Sequence, residues 1–230
     1  MTPFFYNPEM RQTEDDAVMV MCPVCGNPVN NHAVEELYTV DVVESDFRVR
    51  TLDDDILDSW LVFCHHCLYI THDFSLIPDN IAQLREIVDT EAYRERFSDT
   101  NPTTMELFGH YLYLLEKAEA PPMVFADTYL RMSWLCEDEE QSSKADAFRE
   151  KAVSNFAKSL LVSDPDRKER SLIYYYIAEL SRRNGEFERA KKTLLKMDMK
   201  QSMFRRLYDM QNELIRARNR NAALMPREES

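Results

Sequence analysis

The chain has 230 residues and a formal net charge of −13, with 44% hydrophobic residues. That length suffices for one large or two modest domains with a buried core. Only three glycines are present (Gly26, Gly109, Gly185) and they stand far apart. A phosphate-cradling loop or a dinucleotide-binding turn, which needs clustered glycines for close backbone approach, is therefore excluded.

The N-terminal stretch "MTPFFYNPEMRQTEDD" has no basic segment leading into an apolar one, and no apolar run is long enough to span a bilayer. The chain therefore reads as unprocessed, soluble and cytoplasmic, without a membrane partner. Its acidity is local. Residues 1–80 carry fifteen acidic and three basic residues, a balance of −12, and the remainder is close to neutral.

Residues 17–75 read as strands and turns. "AVMVM" runs into "CPVCG", "YTVDVVESDFRVRT" is rich in β-branched and aromatic residues, and "DSWLVFC" leads into "CHHC". Four of the five cysteines thus form two C-x2-C pairs, Cys22/Cys25 and Cys64/Cys67, with 38 residues between them. Each pair follows a β-rich run, which is how zinc knuckles are presented: two sulfurs converge from each tight turn, Gly26 permits the turn and Pro23 stiffens it.

A redox dithiol would need one C-x-x-C before a helix, and disulfides do not suit a reducing compartment. The spacing points to one structural Zn2+ held by Cys22, Cys25, Cys64 and Cys67, with iron the alternative, since four thiolates also suit Fe. Four thiolates fill a tetrahedron and leave no open position for a substrate water. His65 and His66 lie inside the second knuckle, where side chains point outward, and His72 and His32 are the other histidines near enough in sequence to replace a ligand. Cys136 is expected as a small buried hydrophobe. "LDDDILD" at 52–58 reads as a solvated turn, because the spaced oxygen ligands of a calcium loop are absent.

After "SLIPDN" the pattern turns helical. A helix is expected over 81–97, capped by Asp79 or Asn80, and broken by "SDTNPTT". A second, capped by Thr103 or Thr104, carries the stripe Leu107, Tyr111, Leu114, Leu115. Pro121-Pro122 starts a third. Two further helical stretches are expected before "SDPD" and three more up to about residue 221, with 223–230 a frayed tail.

Tyr174, Ile177, Ala178, Gly185, Phe187, Ala190 and Leu194 match the tetratricopeptide pattern of two antiparallel helices, small residues at their crossing and Gly at the turn. Ala152, Phe156, Ser159 and Leu160 form a degenerate earlier copy, with Tyr129, Leu130, Trp134 and Leu135 as its first helix. A plain helical bundle is the competing expectation. The expected class is α+β, mostly α: a zinc-ribbon-like β module over 1–78 and an antiparallel, tetratricopeptide-like helical array over 79–222.

"CPVCG", "ESDFR", "WLVFCHHCLYITHDF" and the irregular helical repeats together resemble a bacterial family of uncharacterised proteins that pairs a four-cysteine zinc-ribbon-like module with tetratricopeptide-like helices. The resemblance covers nearly the whole chain. It implies zinc and this architecture, and no established activity. One departure stands out: the family tends to have Gly after the fourth cysteine, where this chain has Leu68.

A closed metal site, a repeat array and no nucleophile–base or phosphate motif point to a non-enzymatic protein–protein interaction or scaffold protein, with a protein or peptide in the helical groove. The alternative is a nucleic-acid or ribosome-associated role for the stretch 182–220, which holds twelve Lys/Arg against five acids. Arg205, Arg206 and Arg216 mark that candidate basic docking surface, although the −12 of the cysteine module makes nucleic acid an unlikely partner. Charged helix faces are also commonly just solvated, and the same stretch has an acidic candidate partner in the chain's own N-terminal module. An enzyme site would have to use His110 with Tyr111 and Tyr113, or the run Tyr174–Tyr176.

Overall fold

A computed structural model describes residues 18–31, 40–52, 56–97 and 102–225. The N-terminal third is built from three short antiparallel hairpins: β1 (Val18–Met21) with β2 (Pro28–Asn31), β3 (Val40–Val43) with β4 (Val49–Thr51), and β5 (Val62–Phe63) with β6 (Ile70–Thr71). A short helix α1 (Ile56–Ser59) precedes β5; residues 53–55 of the expected 52–58 turn lie outside the described residues. The first and third hairpins are joined by the two cysteine turns. Met21 pairs with Pro28 and Phe63 with Ile70, so each C-x2-C closes its own strand pair.

The helices follow as α2 (Ile81–Val88), α3 (Glu91–Arg94) continuing into a 3-10 turn (Glu95–Phe97), α4 (Thr104–Lys117), α5 (Pro122–Asp138), α6 (Ser142–Val162), α7 (Arg167–Arg183), α8 (Phe187–Leu194) and α9 (Ser202–Arg216). The architecture is α+β and mostly α, as expected. The single helix expected over 81–97 is instead two. Thr90 takes an extended conformation and its hydroxyl accepts from the Tyr93 amide, so a residue inside the apolar pattern acts as a cap and restarts the chain at a new angle. The first helix begins after Asn80, whose side chain makes no capping hydrogen bond.

Other boundaries follow their local signals. Thr103 forms a reciprocal capping box with Glu106, Pro122 opens α5, and Asp166 forms a second box with Glu169. The two stretches expected before "SDPD" are one continuous helix, α6. At the turn between α7 and α8, Gly185 adopts φ +82°, and a Cβ there would stand 3.5 Å from Cδ of Arg220. The left-handed backbone disfavours a side chain there, whereas Arg220 would meet it only at ordinary contact distance.

Successive helices from α5 to α9 pack on one another. Leu130, Trp134, Phe156, Ile173 and Leu180 fill the α5–α6–α7 interior, and Ala178, Ala190, Leu194, Phe204 and Leu207 fill the α7–α8–α9 interior. The boundary at residue 78 is crossed in three places. The cysteine turns share a core with Leu84, Val88, Tyr93 and Leu114. Trp60 stacks on Phe108 of α4 at 5.5 Å, under the Arg131 guanidinium at 4.2 Å.

The third crossing is the turn of the β3–β4 hairpin, Glu44 to Arg48, which enters the helical array. Ser45, Asp46 and Arg48 are at most 1% exposed. The Ser45 hydroxyl donates to Glu179 at 2.6 Å, and the Tyr175 hydroxyl donates to the Ser45 carbonyl at 2.5 Å. Asp46 accepts from Trp134 Nε1 at 2.8 Å and from Arg183. Arg48 donates to the Trp134 carbonyl at 3.2 Å and pairs with Asp138. Phe47 holds φ +64° and packs its ring on Tyr175 and Tyr176.

Behind this turn, Arg182 and Glu179 form a fully buried pair, and Arg182 also reaches the carbonyls of Asn219 and Asn221. Of the tail expected to fray from residue 223, residues 223–225 are held in the fold and 226–230 lie outside the described residues. The Met225 amide donates to Val43 and the Ser45 amide to Ala223, so this segment lies along the free edge of β3. Backbone groups of an edge strand are thereby satisfied by the chain's own terminus.

Candidate metal centre

The two cysteine turns are near copies of one another. In the first, the Gly26 amide donates to the Cys22 carbonyl at 2.8 Å, and the Cys22 amide donates to Asn27. In the second, the Leu68 amide donates to the Cys64 carbonyl at 2.7 Å, and the Cys64 amide donates to Tyr69. Gly26 and Leu68 occupy equivalent positions with φ of +73° and +64°. The departure from Gly at position 68 therefore leaves the turn geometry intact. A leucine simply adopts the left-handed backbone, at a cost of about 1 kcal/mol, and packs against the surrounding core.

Space around Gly26 is open, with no heavy atom within 4 Å of a built Cβ. Gly26→Ala should therefore lower stability only through its backbone, by about 1 kcal/mol in urea unfolding, without displacing a bound metal. A loss several times larger would mean that the turn needs more than a permissive φ.

The four sulfurs all lie within 4.8 Å of one another. Cys22 and Cys67 are 3.7 Å apart and Cys25 and Cys64 are 3.6 Å apart. A disulfide requires about 2.05 Å. Thiolates bound at about 2.3 Å to one tetrahedral ion lie about 3.8 Å apart by geometry. The spacing suits four ligands around a single ion, with two sulfurs from each turn.

Burial differs among the four. Cys22, Cys64 and Cys67 are buried, and Cys25 is open to solvent. Burial pushes the Cys22 thiol up to about 11 and raises that of Cys67 further. At Cys25 burial also acts upward, but backbone and side-chain hydrogen bonds from Asn27 outweigh it and hold the thiol at about 7. A divalent ion bound here must displace the protons on the buried pair, so its binding strengthens as pH rises.

Two helical side chains hold the turns in place. Arg85 of α2 donates to the Val24 carbonyl at 2.9 Å, and the buried Tyr93 of α3 donates to the Leu68 carbonyl at 2.7 Å. Tyr93 reaches it because Thr90 redirects the chain. Nothing in the spacing of the cysteines reveals either support. The closest signal in the sequence is the Thr90 cap, which ends one helix and aims the next.

The expected ligands are therefore brought together, and the convergent set among the described residues consists of the four sulfurs. His65 and His66 are exposed, with His65 against Phe63 at 4.5 Å. His72 stacks on Trp60 at 5.8 Å and belongs to the aromatic layer beside α4; burial lowers its pKa. His32 lies outside the described residues. Cys136 is 1% exposed, away from the cluster.

The basic stretch divides in two. Arg182 and Arg183 are buried and engage Glu179, Asp46 and Glu137, while Arg220 pairs with Asp146 and Arg189 with Glu150. Arg205, Arg206 and Arg216 lie on the exposed face of α9. His110 packs on Phe97 at 4.2 Å, and the Tyr175 hydroxyl is committed to Ser45 and Gln211.

Two cysteine hairpins that converge their sulfurs, mounted on a helical array, define a protein with a four-cysteine cluster able to hold a metal ion. The chain belongs to a bacterial family described as "Uncharacterized protein conserved in bacteria (DUF2225)", whose model matches residues 17–218. No curated protein and no solved structure matches it. Among the described residues, no helix is long and apolar enough to cross a membrane.

Proposed function

We propose that this is a non-enzymatic interaction or scaffold protein in which a structural zinc ion clamps the N-terminal hairpins and the tetratricopeptide-like helices present a groove to a protein or peptide. The observation that carries this reading is the filled tetrahedron: four sulfurs surround the ion position and leave no place for a substrate water. Iron in the same four-thiolate site is the alternative metal.

A groove of about 380 Å3 between α5 and α6 supports the second part. Pro122, Phe125 and Tyr129 line one wall, and Asn155 and Lys158 the other. One aromatic wall facing a polar one is compatible with an extended peptide. A nucleic-acid role retains the exposed Arg205 and Arg216, but Arg182, Arg183 and Arg220 are committed to carboxylates of the chain itself.

The test has two arms. Elemental analysis of the purified protein should find one zinc per chain. Lys158→Glu, at an exposed position on the opposite wall, should lose partners captured from the native host by the wild type, while its thermal melt is unchanged. Reproducible hydrolytic turnover that disappears on chelation would overturn the non-enzymatic reading. So would partners retained equally by wild type and variant, as far as the groove is concerned.

A further inference from the structure

The four ligands are not equally protected, and the difference has a chemical consequence. Cys22 and Cys64 are at most 1% exposed and Cys67 is 7% exposed. Cys25 is the most exposed of the four and lines a cleft of about 270 Å3 together with Val24, Cys67, Arg85, Val88 and Asp89. A small oxidant therefore meets one sulfur first. Behind it, 3.6 Å away and inaccessible from outside, is Cys64 of the other turn.

We propose that Cys25 is an oxidation site for hydroperoxides and that Cys64 is its resolving partner, so that oxidation releases the metal and leaves a disulfide between the two turns. This rests on the metal reading above. The Cys25 sulfur attacks one peroxide oxygen: an S–O bond forms, the O–O bond breaks, and hydroxide leaves. The Cys64 sulfur then attacks Cys25: an S–S bond forms, the S–O bond breaks, and a second hydroxide leaves. Two thiolates lose two electrons, one hydrogen peroxide gains them, and two protons from solvent turn the hydroxides into water. With two of its four ligands gone, the ion dissociates as a divalent cation.

The cross-turn pairing is what distinguishes this from an ordinary C-x2-C disulfide. Cys25 and Cys64 are 39 positions apart, so their bond closes the same loop that the ion closes. The Glu44–Arg48 turn stands at the far end of that loop. Oxidation thus replaces one staple by another and keeps the turn tethered within the helices.

The experiment begins with the zinc content of the purified full-length chain, which tests the metal reading by itself. The protein is then titrated with hydrogen peroxide while released zinc is followed with a coloured chelator and disulfides are mapped by peptide mass spectrometry. One zinc per chain should appear in step with a Cys25–Cys64 linkage. A first linkage of Cys22 to Cys25, of Cys64 to Cys67, or of Cys22 to Cys67 overturns the proposal, as does zinc release without modification of Cys25.

Cys25→His, which keeps a metal-binding nitrogen and removes the accessible sulfur, should slow release at least tenfold; an unchanged rate overturns the proposal. Cys136→Ser should release zinc at the wild-type rate. The disulfide map is also read on the metal-free chain, so the Cys25–Cys64 pairing stands or falls even where no zinc is found.

Discussion

Asp46→Ala should lower the unfolding free energy by about 3–5 kcal/mol, the cost of removing one partner from a buried charge pair. Asp46 is 0% exposed, accepts from the Trp134 indole, and pairs with Arg183, which is itself 7% exposed. Burial works against the Arg183 charge, but Asp46 and Glu137 outweigh it and raise the pKa. With Asp46 gone, the guanidinium keeps only Glu137 and the indole N–H loses its acceptor.

Asp46→Asn retains an acceptor for Trp134 and should fall between Ala and wild type. Urea unfolding followed by tryptophan fluorescence reads both variants. A loss below about 1 kcal/mol for Ala would mean that water replaces the carboxylate and that the turn is less sealed than its burial indicates. The neighbouring Asp138 supplies a pH test. Burial raises its pKa, but Arg48 and Arg50 outweigh this and hold it below the ordinary carboxylate range. Its contribution is therefore present above the unfolded pKa and lost as pH falls through the folded one, so the urea midpoint should decline on acidification into that range.

Removing the proposed metal is the second large effect. Structural zinc contributes on the order of 10 kcal/mol to the domains that bind it, because the site does not pre-exist in the unfolded chain. Cys64→Ser, or chelation of the wild type, should abolish hydrogen-exchange protection at the amides of Cys22, Gly26, Cys64 and Leu68, all of which donate within the two turns. Loss of the 39-residue closure should add about 4 kcal/mol of freedom to the unfolded loop.

Protection at Ser45 and Met225 should outlast that at the turns. These amides donate to Ala223 and Val43, and the Ser45 side chain and carbonyl are bonded to α7, so they do not depend directly on the sulfurs. Helical far-UV signal should fall by less than a fifth of its amplitude. Complete loss of that signal on chelation would show that the hairpins and helices fold as one cooperative unit.

Much of the site was legible before any coordinates. Two C-x2-C pairs at the ends of β-rich runs name four ligands, because thiolate chemistry and tetrahedral geometry leave few other uses for that spacing. Local signals placed Thr103 and Pro122 at helix starts, since each acts within one turn. The break at Thr90 was missed for the converse reason. A lone threonine in an apolar period is ambiguous, and Tyr93 finding the Leu68 carbonyl settles it from outside the helix.

"ESDFR" stood in the sequence inside a run that reads as β-rich. Only the packing shows it entering a helical interior, because its partners lie 86 to 137 positions away. The basic stretch 182–220 has the same character. Composition counts its charges, but only the fold separates Arg182 and Arg183, whose neighbours are buried carboxylates, from Arg205 and Arg216, which face water. By itself the sequence determined which four cysteines could converge, the α+β class and the starts of two helices at Thr103 and Pro122, through signals that act over a few positions. The tertiary structure decided which charges are spent inside, which cysteine faces solvent, and where the chain end lies, because each depends on groups that only long-range packing brings together.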